Sequence, residues 1–164
     1  MKVFINDANI LIDLVKLHIE EAFLSLHVDL YTTDFVFSEL TGVQQQSVTS
    51  DRLTVISTET PEDFGGIATL YNAHNGVSFE DCSVWYYTQK MNATLITGDR
   101  TLRKKVTQSG LDVKGILFIL EEIKNQKLLP LNECILKLEE LKLLNNRLPF
   151  AEIDQRIQAW KNEH

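Results

Sequence analysis

The stretch Lys2-Val3-Phe4-Ile5-Asn6-Asp7-Ala8-Asn9-Ile10-Leu11-Ile12-Asp13-Leu14-Val15-Lys16-Leu17 decides the fold. Its first part, Lys2 to Asn6, is a short apolar run, the pattern of a strand buried on both faces. From Ala8 to Leu17 the period changes, and Ile10, Leu11, Leu14 and Leu17 fall on one helical face. The change happens at Asp7, a residue type that caps helices well. A buried strand running straight into a helix predicts a β-α-β arrangement and hence a parallel sheet.

The rest of the chain repeats this alternation. A helix is expected over Ile19 to His27 and a short strand over Leu30 to Thr33. Asp34 is expected to cap the next helix, which carries Phe35, Phe37, Glu39 and Leu40. Gly42 and the run Gln44-Gln45-Gln46 weaken the helical pattern before a strand at Leu53 to Ser57. Pro61 opens a helix of about three turns that stops near Asn75-Gly76. Ser78 and Asp81 form a capping box for a helix through Lys90. Ala93 to Thr97 is a buried strand, Asp99 opens a helix from Arg100 to Ser109, and Gly110 ends it. Val113 marks a last short strand before a helix to about Lys127. Helices follow over Asn132 to Leu144 and Phe150 to Lys161, the second after Pro149. Right-handed crossovers then give an α/β fold, a three-layer α/β/α sandwich with a central parallel sheet. Residues 1–130 form this domain, and 131–164 form a C-terminal helical extension packed on it, because two helices alone bury little.

Composition agrees with one globular unit. The 164 residues are 44% apolar and 24% charged, with only three Pro and seven Gly, which excludes disorder and collagen-like character. Sixteen Lys and Arg against 23 Asp and Glu give a net charge of -7, which argues against a broad electrostatic grip on nucleic acid or anionic membrane. A local basic patch or bound metal can still serve a nucleic-acid substrate. Asp7 and Asp13 interrupt the apolar start, so the N-terminus is expected to belong to the fold rather than to a signal peptide. No segment is long and apolar enough to span a bilayer. Cys82 and Cys134 have no metal-ligand spacing and make no disulfide framework, so a cytoplasmic location is expected.

Ligands of open parallel sheets bind at the carboxyl ends of the strands. Asp7 follows the first strand, and Asp99 lies two residues beyond Ala93–Thr97. Asp81 is in the first turn of the helix before that strand, and Glu39 is in the helix after the second strand. Four carboxylates from distant parts of the chain are thus expected at one sheet edge. Crowded carboxylates either bind protons or share a cation, and oxygen-only ligands suit Mg²⁺ or Mn²⁺. A bound ion of this kind supports phosphodiester hydrolysis. The opposing reading is structural. Asp7, Asp81 and Asp99 all fall at helix starts, where Asp serves as a cap, and Glu39 alone reads as a solvated helix residue.

Phe4-Ile5-Asn6-Asp7-Ala8-Asn9-Ile10-Leu11-Ile12 resembles the opening motif of PIN domains. Ser38-Glu39-Leu40, Phe79-Glu80-Asp81-Cys82-Ser83 and Leu95-Ile96-Thr97-Gly98-Asp99 resemble that family's later acidic blocks, in the same order, over about residues 2 to 120. The resemblance implies a metal-dependent ribonuclease fold with Asp7, Glu39, Asp81 and Asp99 as catalytic and metal-binding positions. It also implies Asn9 and Thr97 as supporting hydrogen-bonding positions. Many small bacterial members are VapC-like toxins, usually dimeric, neutralised by an antitoxin protein. Two features depart from the pattern. Arg100-Thr101-Leu102-Arg103 stands where many members carry a further acid, so the number of metal ions stays open. The helices after Leu131 are absent from the most compact toxins, and they cover an interface, hold an antitoxin or finish the core.

Arg100, Arg103, Lys104 and Lys105 form the one dense basic cluster, either a solvated helix face or a grip on RNA backbone. Trp85, Tyr86 and Tyr87 read as core and rim rather than as a stacking platform. His18, His27, His74 and His164 are scattered without ligand spacing. The expected function is therefore a Mg²⁺- or Mn²⁺-dependent endoribonuclease acting on RNA, as the toxin of a type II toxin–antitoxin pair. The alternatives are a housekeeping RNA-processing nuclease or a catalytically silent module that binds protein or RNA. A flavodoxin-like signalling domain also gathers acids at a sheet edge, but the long helical tail and the helical Glu39 fit it poorly.

Overall fold

Residues 1–163 are described by a computed structural model; His164 lies outside the described residues. Strand β1 (Val3–Asn6) is central in a five-stranded parallel sheet. Beyond it come β2 (Asp29–Thr33) and β3 (Leu53–Ile56) on one side, and β4 (Thr94–Ile96) and β5 (Asp112–Lys114) on the other, in the order β3-β2-β1-β4-β5. A central strand is covered on both faces, and Phe4, Ile5 and Asn6 are accordingly buried. Phe4 pairs with Leu30 on one side and Thr94 on the other, and Asn6 pairs with Ile96. Helices flank both faces, as the alternation predicts.

The strand order reverses between β1 and β4. The chain winds from β1 outward to β2 and β3, then returns to the other side of β1 for β4 and β5. Such a reversal leaves a crevice at the carboxyl ends of the two diverging strands. Asp7 N–H donates to the Ile96 carbonyl at 2.9 Å, and Thr97 N–H donates to the Lys114 carbonyl at 3.0 Å. Asp7 and Thr97 are therefore the residues at the mouth of that crevice.

The flanking helices largely follow the sequence signals. Asp7 caps α1 (Ala8–Lys16), Ser78 and Asp81 form the capping box of α6 (Phe79–Met91), and Asp99 caps α7 (Arg100–Gln108). Thr60 precedes Pro61 at the start of α5 (Pro61–Ala73). The short α2 (Glu20–Leu24) occupies part of the helix expected over Ile19 to His27.

Two local expectations are corrected. The cap of α3 (Asp34–Glu39) is Thr33, whose extended backbone lets its Oγ1 accept from Val36 N–H at 3.1 Å. Asp34 lies one residue inside, where its carboxylate accepts from Phe35 N–H at 3.0 Å and Thr58 N–H at 2.9 Å, tying the exit of β3 to α3. The Gln-rich stretch after Gly42 is a helix, α4 (Gly42–Val48). Thr41 and Gln44 form its capping box, and Val48 is buried, so a cap and one anchor outweigh weak periodicity.

After α8 (Ile116–Asn125), the chain forms α9 (Leu131–Leu144) and α10 (Phe150–Lys161). Helix α9 packs on α8 and buries Cys134, Leu138 and Leu141. Helix α10 packs on α9 and buries Ile153, Ile157 and Trp160, with Lys124 Nζ 5.2 Å from the Trp160 ring centre. Cys82 and Cys134 are both buried and free. Among the described residues no helix is long and apolar enough to cross a membrane.

Trp160 is 2% exposed, so Trp160→Ala is expected to cost about 3–5 kcal/mol in chemical denaturation, within one cooperative transition. Leu143→Ala, at a position 88% exposed, is expected to change stability by less than about 0.5 kcal/mol.

Candidate active site

Asp7 sits at the crevice between β1 and β4. It is 3% exposed; its Oδ1 accepts from Ala8 N–H at 2.8 Å and its Oδ2 from the Thr97 hydroxyl at 2.7 Å. Thr97 Oγ1 also accepts from Asp99 N–H at 3.1 Å, so one buried hydroxyl links two acidic positions that lie far apart in the chain. Asn9 Oδ1 accepts from Gly98 N–H at 2.9 Å and pins the loop between β4 and α7. Both residues expected to support the acids thus contact the backbone or side chains that place them.

Asp81 and Asp99 each spend one oxygen on a helix start. Asp81 Oδ2 accepts from Ser78 N–H at 2.9 Å, and Asp99 Oδ1 accepts from Leu102 N–H at 2.9 Å. Their other oxygens accept no hydrogen bond among the described residues. Capping does not preclude a site role: the cap holds one oxygen, and the remaining oxygen stays available. Ser83 Oγ donates to the Glu80 carbonyl at 2.6 Å and lies 2.8 Å from Thr33 Oγ1. This links the first turn of α6 to the carboxyl end of β2 and carries Asp81 to the same edge.

The charges feel one another. Burial pushes the Asp7 carboxyl up to about 6, against the Thr97 hydrogen bond, with Asp81 and Asp99 adding to the rise. Asp81 is raised by its own burial, then by Asp99 and Glu80. Glu39 closes α3 at the rim. As a residue it is exposed, but its carboxyl is partly desolvated and is pushed up to about 7, with Glu80, Asp7 and Asp81 adding repulsion. Among the described residues no ion pair engages Asp7, Glu39, Glu80, Asp81 or Asp99.

Glu80 is the acid that sequence reasoning missed. In the first turn of a helix, a Glu beside Asp81 is indistinguishable from an ordinary partner of the helix dipole. The packing of α6 against α3 brings it toward Glu39. Among the described residues no three acidic, His or Cys side chains converge into a ready-made metal site. The acids are near enough to repel but not gathered, and mutual repulsion opposes such gathering.

The basic cluster divides. Arg100 and Arg103 line a cleft beside Gly98, whereas Lys104 and Lys105 are not among its lining residues. Trp85 and Tyr87 are buried, and Tyr86 is half-buried with its hydroxyl donating to Asp63 at 2.6 Å.

The family model DUF3368, a PIN domain, matches residues 3–162. The chain belongs to the PIN-domain family. A solved structure agrees on the fold, and a second is reported beside it. The VapBC2 structure from Rickettsia felis, bound to a DNA fragment from its promoter, contains a chain that is 16% identical. The match covers 69% of this chain and 98% of that one, with a TM-score of 0.50. VapBC-1 from nontypeable Haemophilus influenzae has an 18% identical chain, with 70% of this chain and 98% of that one covered and a TM-score of 0.49. No curated protein matches the sequence significantly. Nearly all of the matched Rickettsia chain thus has a counterpart in this PIN protein, which carries additional chain beyond it.

The raised carboxyls make stability depend on pH. Asp7 and Glu39 bind protons more tightly folded than unfolded, so they favour the fold below about pH 4. That contribution is lost as pH rises through about 6 for Asp7 and about 7 for Glu39. Asp7→Asn is therefore expected to stabilise the protein in chelator at pH 8 by about 1–3 kcal/mol, and to gain nothing at pH 4. Urea unfolding at the two pH values measures the difference.

Proposed function

We propose that this PIN domain is a divalent-metal-dependent endoribonuclease that hydrolyses RNA phosphodiesters. The observation that carries the reading is the buried Asp7 at the β1/β4 crevice, raised to about 6 and repelled by Asp81 and Asp99, with no cationic side chain paired to it among the described residues. An acidic group left uncompensated by its own protein suits an external cation. The donors are all oxygens, which fit Mg²⁺ or Mn²⁺, and Asp7, Asp81, Asp99 and Glu39 are the residues that would hold it. Such an ion lowers the pKa of a bound water and neutralises charge on a phosphoryl oxygen.

The chain's own residues supply placement. Thr97 Oγ1 fixes Asp7 Oδ2 and receives Asp99 N–H, so the two acids keep a set separation. Asn9 holds Gly98, which ties the start of α7 and its capping Asp99 to the first turn of α1. The caps at Asp81 and Asp99 commit one oxygen each and leave the second for a ligand.

The biological role proposed is that of a toxin neutralised by a cognate antitoxin, working in the cytoplasm as a homodimer. The fold likeness to a chain of the Rickettsia felis VapBC2 structure supports it. A silent binding module is the second reading, favoured by the absence of three converging metal-binding side chains among the described residues.

Cleavage of a mixed RNA panel, with Mg²⁺, with Mn²⁺ and with chelator, separates the two readings. Cutting that needs metal and falls by more than about a hundredfold in Asp7→Asn and Asp99→Asn is expected. Thr97→Val, which keeps the shape and removes the hydroxyl, is expected to lose about 10–100-fold in activity or metal affinity. Metal-independent cutting, or full activity in the Asp variants, would contradict the proposal.

A further inference from the structure

A cleft of about 600 Å³ opens beside the acidic edge, and the C-terminal helices form one of its walls. Thr97, Gly98, Arg100 and Arg103 and the start of α8 line it as well. A second depression, lined by Asn9, Gly98, Asp99 and Arg147 among others, continues it toward the acids. The cleft and the acidic site therefore share a border at Gly98–Arg100.

The chemistry of the cleft is opposite to that of the chain. Arg100, Arg103, Lys114, Arg147 and Arg156 line it, against Asp13, Glu121 and Glu152, in a protein of net charge -7. The carboxylates are partly occupied. Asp13 Oδ2 accepts from Asn145 Nδ2 at 3.4 Å, and Glu121 and Glu152 lie 3.7 and 3.9 Å from the Arg156 guanidinium. Lys114 lies 3.7 Å from Asp112. Among the described residues Arg100, Arg103 and Arg147 have no carboxylate partner, and Arg100 Nη2 donates only to the Arg147 carbonyl, at 3.1 Å. Unneutralised guanidinium groups gathered in one cleft attract an anion. Half-buried Phe118 and Leu148 and exposed Pro149 also line the cleft, whereas Ile116 and Leu117 are buried beneath it. Unpaired guanidinium groups in a cleft that borders an acidic phosphodiester site suit a polyanion, and single-stranded nucleic acid is one that can reach both places.

We propose that this cleft binds the single-stranded RNA continuing from the scissile phosphate, with Arg103 and Arg147 on its backbone phosphates. The inference rests on the nuclease reading for what lies at the acidic edge. It gives the C-terminal helices a role, because the loop between α9 and α10 brings Arg147 across from Arg100, 47 residues earlier in the chain. An acidic polypeptide would satisfy the same cations, but the shared border with Asp99 favours a ligand that occupies both places.

The test is fluorescence anisotropy of a labelled single-stranded RNA with the full chain in EDTA, where metal-dependent cleavage is off. Arg103 and Arg147 are both exposed, so Arg103→Glu with Arg147→Glu should fold, and circular dichroism checks it. Arg103→Gln with Arg147→Gln serves if the reversed charges unfold the chain. The control, Lys2→Glu with Lys16→Glu, makes the same charge change at the opposite end of the sheet. The cleft variant is expected to bind at least about tenfold more weakly than the control, with the salt slope reduced by about 1.4, or about 0.7 for each phosphate no longer held. Equal binding by cleft variant and control, or no binding by the unaltered chain, overturns the proposal; equal binding would leave the cleft to an acidic polypeptide. Failure of cleavage with cleft-dependent binding intact would overturn the nuclease reading alone.

Discussion

Asp7 places a carboxylate 3% exposed at the centre of a five-stranded sheet, and much of the surrounding structure answers to the cost of keeping it there. Burying an unpaired carboxylate is expensive unless hydrogen bonds or a counter-charge compensate it. The Thr97 hydroxyl and the Ala8 N–H supply part of that compensation, yet the carboxyl still sits near 6. Position makes the burden unavoidable, because Asp7 extends the central strand and its N–H continues the pairing to β4. A chain that folds with this topology must present Asp7 where the two halves of the sheet diverge.

The neighbouring acids reach that point by different routes. Asp99 arrives through the β4–α7 loop, which the Asn9 and Thr97 side chains hold by accepting from Gly98 and Asp99 N–H. Asp81 arrives through the first turn of α6, fixed to β2 by the contact between Ser83 and Thr33. Helix capping, which on its own explains an Asp at each of these positions, here orients side chains that also repel Asp7. Rigidity and electrostatic tension therefore come from the same residues. The family assignment gives this arrangement a setting, and the proposed cation is the means by which the tension would be relieved.

The alternation of buried strand and amphipathic helix was legible because it is written in local periodicity, as at Phe4–Ile5 followed by Ile10, Leu11 and Leu14. The capping box at Ser78 and Asp81 was legible for the same reason. Local competition was not: Thr33 and Asp34 are both good caps, and the extended backbone at Thr33 decides between them. Helix α4 was hidden because one buried Val48 gives no period to count. Proximity across the chain was the least legible. Nothing near Glu80 signals Glu39, and nothing near Arg100 signals Arg147; packing of distant elements creates both relationships.

The cost of burying the Asp7 carboxyl, to which its acidic neighbours add, and its proposed relief by a divalent cation can be read at a single group. Carbon-13 NMR titration of the Asp7 carboxyl, in chelator and then in Mg²⁺, tests both most directly. A midpoint near 6 in chelator that falls well below 6 in Mg²⁺ is the predicted result. A midpoint near the ordinary 3.8, or one that Mg²⁺ does not move, would contradict the account.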